Sequence, residues 1–465
     1  MLSRSITRAA RRSAAARPLV TSKHVRVPFS YPAWCQASLI APFNTPPRRN
    51  LSQLVRQVQR EVGSPTNLDI ESLPLLSSTT NASPEPLRIL FCGSDELSAT
   101  VLRALNAEHT SNPSLIESIS VFHRPGKATG RGLKKRTIPV LKTVAEELEI
   151  PESHIHERDT FTGWSPPIKP EINLIIAVSF GLFVPPRILN GVKYRGLNLH
   201  PSLLPDLRGC SPIQSAILNQ DTETGITLQD LNPKLFDHGK VLARVKLPIE
   251  RPGEVTNEEL TRELAEPAAQ LLVHGLRQGL YQYERVQELP EPNLSHPPRE
   301  AKKFQKLDMQ LSDSMFASNV SAVKRALGQV WFARQLAADA KPSEARVLLD
   351  DLSVVPLSPA FKQFLEDKKN ADGRFRPLKM KQQLEDGGEK LWSRPMMKSG
   401  DGTSIELYLG GDEVLKIGSA TVSGGKKGSA VKALWGKEVD DGTGDGGSSW
   451  LADTLTFGIF AAVME

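Results

Sequence analysis

Apolar runs broken by Pro- and Gly-bearing turns recur along the middle of the chain. Ile172-Asn173-Leu174-Ile175-Ile176-Ala177-Val178 is almost continuously apolar and is bounded by Pro170, Gly181 and Pro185. A run of that length reads as a strand buried on both faces rather than as a short helix. Residues 197–200 read as a second strand, stopped by Pro201 and Pro205. Strand patterns at 87–91 and 116–122 alternate with helical patterns at 98–108 and 140–148. The alternation predicts an α/β fold with a doubly wound, mostly parallel sheet. The first turn, Cys92-Gly93-Ser94-Asp95, lacks Gly-x-Gly-x-x-Gly, so dinucleotide binding has little support. Residues 258–278 read as a helix, and the Pro-rich stretch near 288–298 reads as a linker.

The chemistry concentrates at the end of the second strand. Asn198 and His200 are two apart on an extended chain, so they project to one side. An amide N–H and an imidazolium are donors suited to a developing oxyanion. A carboxylate beside the imidazole favours its charged form. Asp237, in Phe236-Asp237-His238-Gly239, fits that place and can pass a proton from an attacking amine through a water. Singly, the three residues also fit a loop cap, a core histidine and a turn carboxylate. Together they suit transfer of a small acyl group to an amine.

Asn-x-His-x-Ser-Leu-Leu-Pro at 198–205, with Asp-x-Gly at 237–239, resembles the folate-dependent formyltransferases, above all those acting on methionyl-tRNA. The resemblance extends to 87–94, 177–185, 208–214 and 224–228, and runs from about Leu87 to about Ile249. It implies 10-formyltetrahydrofolate as the donor and Asn198, His200 and Asp237 as the catalytic set. It places the folate against Ser202, Leu203, Leu204 and Pro205, and against Phe180, Gly181, Leu182 and Phe183. The family often has Asp-Thr-Gly where this chain has Asp237-His238-Gly239, so the protonation of the neighbourhood is in question while the carboxylate remains.

The acceptor is a separate matter. The segment from Arg124 to Arg136 is Gly-rich, strongly basic and free of acidic residues. A flexible cationic loop can follow a nucleic-acid backbone; a solvated basic loop is the plainer reading. The segment resembles the family's tRNA-contacting insertion, which implies Arg124, Lys127, Arg131, Lys134, Lys135 and Arg136 as tRNA-binding residues, with Arg131 inserted at the acceptor stem. The acceptor so implied is the methionine of initiator methionyl-tRNA. A formyltransferase for a small amine, such as glycinamide ribonucleotide or an amino sugar, stays open, as does a non-catalytic RNA-binding protein on the same core.

The first 60 residues contain no Asp or Glu, and Arg4, Arg8, Arg11, Arg12 and Arg17 lie among Ser and Ala. That composition reads as a mitochondrial leader with the matrix as destination, or as a basic arm. Residues 1–84 are expected to be leader and disordered segment, with a possible short helix at 51–62. Net charge is +6, much of it in that leader, so bulk charge says little about an RNA partner. Three widely spaced cysteines suggest neither a disulfide framework nor a zinc site, and no metal is expected. No apolar run is long enough to span a bilayer, so no membrane partner is expected. The expected layout is a catalytic domain at 85–287, a linker at 288–300 and a second domain at 301–465, in a monomer. In the second domain 312–327 reads as a helix, 404–409 and 414–417 as strands, and 340–400 as an insertion or long loop. The family resemblance makes this region a small β-barrel-like tRNA-binding domain. The tail at 440–465 has no assigned role.

Overall fold

The computed structural model describes residues 68–72, 85–129, 134–167, 169, 171–335, 344–367 and 375–435. In chain order, β1 (Ile70–Ser72), β2 (Leu87–Gly93), α1 (Glu96–Ser111) and β3 (Ile116–His123) come first. The short strands β4 (Ala128–Thr129) and β5 (Lys135–Arg136) precede α2 (Val140–Glu147), β6 (Ile155–Glu157) and β7 (Leu174–Val178). Then follow α3 (Pro186–Leu189), β8 (Gly196–His200), β9 (Arg208–Gly209), α4 (Pro212–Leu218), β10 (Glu223–Asp230), β11 (Val241–Pro248) and α5 (Asn257–Arg277).

Eight of these strands form one sheet in the order β1-β11-β10-β8-β7-β2-β3-β6. The five from β8 to β6 are parallel; β10, β11 and β1 extend the sheet antiparallel. The apolar runs are continuous because both faces are covered. In β7, Leu174, Ile176 and Val178 join the large core with α1, α2 and α5. The alternate Ile175 and Ala177 join a second core with Ile188 and Leu189 of α3, Phe122, Phe161, Trp164 and Phe180. Helices on both faces make the sheet doubly wound, as expected.

The expected leader differs in one respect. Ile70–Ser72 pairs antiparallel with Val245–Ala243 on the outer edge of the sheet. Glu71 receives both Nε (2.6 Å) and Nη2 (3.0 Å) of Arg244. Three residues amid a Ser- and Pro-rich stretch carry no recognisable periodicity; the strand exists because β11 offers an unpaired edge. The rest of 1–84, apart from Leu68 and Asp69, lies outside the described residues.

After α5 the chain continues through β12 (Glu300–Ala301), α6 (Ala317–Leu327), β13 (Val330–Gln335), β14 (Glu344–Pro356), α7 (Pro359–Asp367), β15 (Arg376–Gln383), β16 (Glu389–Lys398), β17 (Ile405–Tyr408) and β18 (Glu413–Val422). Strands β13 to β18 close into a barrel, because the long β14 pairs with β13 through its first half and with β18 along most of its length. The stretch 340–400, expected as an insertion, therefore supplies three barrel strands. In β15, Leu378 and Met380 point into the barrel core while Lys379 and Lys381 alternate with them. Helix α6 contributes Ala317, Val320 and Val323 to that core. Its Arg325 Nη1 donates to the carbonyl oxygens of Pro252 and Val255, tying barrel to catalytic domain. No helix among the described residues is long and apolar enough to cross a membrane, and the tail lies outside them.

Candidate active site

Asn198 and His200 sit on β8, on the sheet face opposite Leu197 and Leu199, which belong to the large core. Strand β10 runs antiparallel beside β8, with Gln229 across from Asn198 and Thr227 across from His200. Four polar side chains thus share one face at the carboxyl end of the parallel strands, where open α/β sheets bind ligands.

Asp237 reaches this place from the loop between β10 and β11. Its φ is +54°, a left-handed conformation that Asp tolerates better than most residues. Asp237 Oδ1 accepts N–H from Asn198 Nδ2 (3.0 Å) and Gln229 Nε2 (3.1 Å), and lies 3.4 Å from His200 Nδ1. Oδ2 accepts the Gly209 backbone N–H at 3.0 Å, and the Asp237 carbonyl oxygen accepts Arg208 Nε at 3.0 Å. Gln229 Oε1 in turn accepts the Gly239 N–H at 3.0 Å, so one amide grips both sides of the turn. The side chains of His200 and Asp237 are only 6% and 8% exposed.

The hydrogen positions follow from the partners. His200 Nε2 is 3.0 Å from the Leu207 carbonyl oxygen, which can only accept, so Nε2 carries a hydrogen. Nδ1, facing Asp237, is the nitrogen left for proton exchange. Donation from His200 to an oxyanion is therefore possible only through Nδ1. Asn198 Nδ2 gives one hydrogen to Asp237 and has a second with no protein acceptor among the described residues.

The Ser-Leu-Leu-Pro segment is buried throughout. Ser202 Oγ donates to the Asp206 carbonyl oxygen (2.6 Å), Thr227 Oγ1 donates to the Ser202 carbonyl oxygen (2.7 Å), and Leu204 N–H donates to Thr227 Oγ1 (3.1 Å). Leu203 packs against Gly225, where a Cβ would meet Leu203 Cδ2 at 2.4 Å. The Leu204–Pro205 peptide is cis. These side chains build a wall behind Thr227 and His200, with contacts to protein. Phe180 is likewise buried, its ring 5.6 Å from Phe122 and 5.8 Å from Phe161. Gly181 turns the chain at φ +69°, and Leu182 packs on the second core. Phe183 reaches the Asp237 loop and meets Phe236 edge-to-face at 5.2 Å. His238 is exposed, with Nδ1 2.6 Å from the Phe236 carbonyl oxygen of its own loop.

The described residues of the basic segment include two short strands. Strands β4 and β5 form a two-stranded antiparallel ribbon, closed at its base by reciprocal backbone and Oγ1 bonds between Lys127 and Thr137. Gly126 is required there, since a Cβ would fall 1.6 Å from the Thr137 carbonyl oxygen. Arg124, Lys127, Lys134 and Arg136 are exposed. Lys135 pairs through its backbone with Thr129. Arg131 lies outside the described residues.

Sequence reasoning missed Gln229, the Leu207 carbonyl and the Arg208–Gly209 backbone. Thr227 and Gln229 did carry a signal, since they alternate with the apolar Ile226 and Leu228. The Leu207–Gly209 contacts had none, because they depend on where a loop crosses. Among the described residues no group of three or more His, Cys, Asp or Glu is arranged to hold a metal ion.

A family model described as formyl transferase matches residues 87–276. The mitochondrial methionyl-tRNA formyltransferase of Saccharomyces cerevisiae is 34% identical over 256 residues, 47% of this chain and 64% of its own length. A Schizosaccharomyces pombe relative is 38% identical over 196 residues, 42% of this chain and 54% of its own length. The methionyl-tRNA formyltransferase of Paracoccus denitrificans is 32% identical over 222 residues, 48% of this chain and 68% of its own length. The chain thus spans between about half and two thirds of the curated relatives it matches. With the sheet, the Asn198–His200–Asp237 cluster and this identity carried across two thirds of a relative, the chain belongs to the methionyl-tRNA formyltransferase family.

Proposed function

We propose that the protein transfers the formyl group of 10-formyltetrahydrofolate to the methionine α-amine of initiator methionyl-tRNA in mitochondria. The observation that carries this reading is the convergence of Asn198, His200 and Gln229 on one oxygen of Asp237 within 3.4 Å. The amine nitrogen attacks the formyl carbon, and the carbonyl electron pair moves to oxygen. The second N–H of Asn198 and Nδ1–H of His200 stabilise that oxyanion. Asp237 takes the proton released by the amine through a water and orients the imidazole. Collapse breaks the bond from carbon to N10 of the folate, which leaves with the returned proton. The products are formylated methionyl-tRNA and tetrahydrofolate.

The tRNA acceptor is supported by the exposed cations of the β4–β5 ribbon and by the names of the relatives. The mitochondrial setting is supported by the arginine-rich, acid-free N-terminal sixty residues and by the yeast relative's name. The test is a formylation assay with the purified chain, 10-formyltetrahydrofolate and charged initiator tRNA, run beside glycinamide ribonucleotide and an amino sugar. Product on the tRNA alone is expected. Product on a small amine and none on tRNA refutes the acceptor. His200→Ala and Asp237→Asn should lose about 10²- to 10⁴-fold in kcat while still folding cooperatively; near-normal turnover by either refutes its role.

A further inference from the structure

Beyond the residues matched by the family model, the chain folds back onto the active site. Arg299 follows Pro297 and Pro298 and meets two carboxylates of the catalytic domain. Its Nε and Nη2 donate to Asp206 at 3.1 and 2.7 Å, and its Nη1 and Nη2 donate to Asp221 at 2.9 and 2.8 Å. The Arg299 backbone N–H also donates to Asp206 Oδ1, at 2.9 Å. Both carboxylates are largely buried, at 8% and 14% exposure. Burial works against the guanidinium charge, but the bonds to Asp206 and Asp221 outweigh it and hold Arg299 above its ordinary pKa. The other titratable neighbour is His296, whose Nε2 is 3.9 Å from Asp206. A doubly bidentate arginine of this kind fixes direction as well as distance.

The strand that Arg299 anchors lies on the segment that positions the catalytic groups. Leu207 N–H donates to the Arg299 carbonyl oxygen at 2.7 Å. β12 then pairs parallel with β9, Glu300 with Arg208 and Ala301 with Gly209. Gly209 is at φ +115°, and a Cβ there would fall 2.3 Å from the Ala301 carbonyl oxygen, so the two backbones touch. On its other side the same three residues serve the site. Leu207 accepts from His200 Nε2, Arg208 donates to the Asp237 carbonyl oxygen, and Gly209 N–H donates to Asp237 Oδ2. The segment is thus held between the linker and the catalytic pair. A loop with left-handed φ at Leu207 (+56°) has no other regular pairing to hold its shape.

We propose, on the formyl-transfer reading of the site, that Arg299 is a positioning residue: through Asp206 and Asp221 it seats the linker strand on Leu207–Gly209 and so sets the Asp237–His200 geometry. Catalysis by the first domain then depends on a residue at the entrance to the second.

Three variants of the full chain test this: Arg299→Met, Arg299→Lys and Arg325→Met. The last removes a bridge between the same domains that touches nothing in the site. Arg299→Met should lower kcat on the order of 10- to 100-fold with little change in KM for tRNA or folate. Arg299→Lys keeps the charge without the fork and should recover only part of it. Arg325→Met should lower the melting temperature while leaving kcat within about twofold. The second readout needs no turnover: titration of the His200 ring by NMR on His-labelled protein, with the resonance assigned through His200→Gln. Its midpoint should move in Arg299→Met and stay in Arg325→Met. An unchanged kcat and an unchanged His200 titration in Arg299→Met overturn the proposal, whatever its melting temperature. If the wild-type chain formylates no acceptor, the function reading fails and the His200 titration alone decides the positioning role.

Discussion

Replacing Gln229 by Glu exchanges one atom and reverses the electrostatics of the site. The Nε2 donor, 3.1 Å from Asp237 Oδ1, becomes a carboxylate oxygen. Two unit charges at that distance repel by about 5 kcal/mol at an effective dielectric near 20. Gln229 is 1% exposed, so water offers little relief. Binding one proton to the pair is the cheaper outcome, and it restores an O–H donor toward Asp237. Against an unfolded Glu titrating near 4.3, keeping that proton at pH 7 costs about 4 kcal/mol, and at pH 5 about 1 kcal/mol. The sign follows from a folded pKa raised above the unfolded one. The variant should match wild type near pH 4.5 and lose about 1.4 kcal/mol per pH unit above it, up to about pH 8. Gln229→Met supplies the uncharged comparison, with a deficit that does not vary with pH. Urea midpoints followed by far-ultraviolet circular dichroism at pH 5, 6 and 7 measure the difference. A pH-independent deficit for Gln229→Glu, equal to that of Gln229→Met, would refute the contact between Gln229 and Asp237.

Gly209→Ala should bring about 1–3 kcal/mol of backbone strain and a loss of turnover, because its Cβ would enter the Ala301 carbonyl oxygen; Gly253→Ala, with open space around it, should change the melting temperature negligibly. Glu108 is 3% exposed and receives Nε and Nη2 of Arg277. Burial opposes its charge, but these bonds win and hold its pKa below the ordinary value. Its stabilisation is therefore present above the unfolded pKa and lost as pH falls below it, so Glu108→Gln should cost about 1–2 kcal/mol at pH 7 and flatten the acid limb of a thermal-stability profile. If Arg124 and Lys127 contact phosphates, replacing both by Ala should reduce the slope of log affinity against log salt for tRNA by about 1.5, with folate KM unchanged; an unchanged slope in a filter-binding titration removes the ribbon from the interface.

The sheet was legible because its strands are buried on both faces. A run such as Leu174–Val178 needs no knowledge of its neighbours to be recognised, since every position must be apolar when two cores claim alternate residues. The barrel was half legible for the complementary reason. Its strands bury one face only, so β14 carries Asp350 and Asp351 and β15 carries Lys379, Lys381, Gln382 and Gln383, and the two imitate a polar insertion. Closure depends on the pairing of β14 with β18, from Pro356↔Glu413 to Val347↔Val422, and local periodicity does not report contacts so distant in sequence.

Asn198 and His200 were readable together because a spacing of two puts them on one strand face, and the structure brings Asp237 to both. The sequence alone thus determined the central strands, the shared strand face of Asn198 and His200 and the basic character of the ribbon, all of which are properties of neighbouring residues. Only the tertiary structure decided that Asp237 sits under Gln229 and Gly209, that His200 spends Nε2 on Leu207, and that Arg299 lies behind them all. Those contacts join residues up to about a hundred positions apart, and their geometry comes from how loops cross a twisted sheet, which no local pattern encodes.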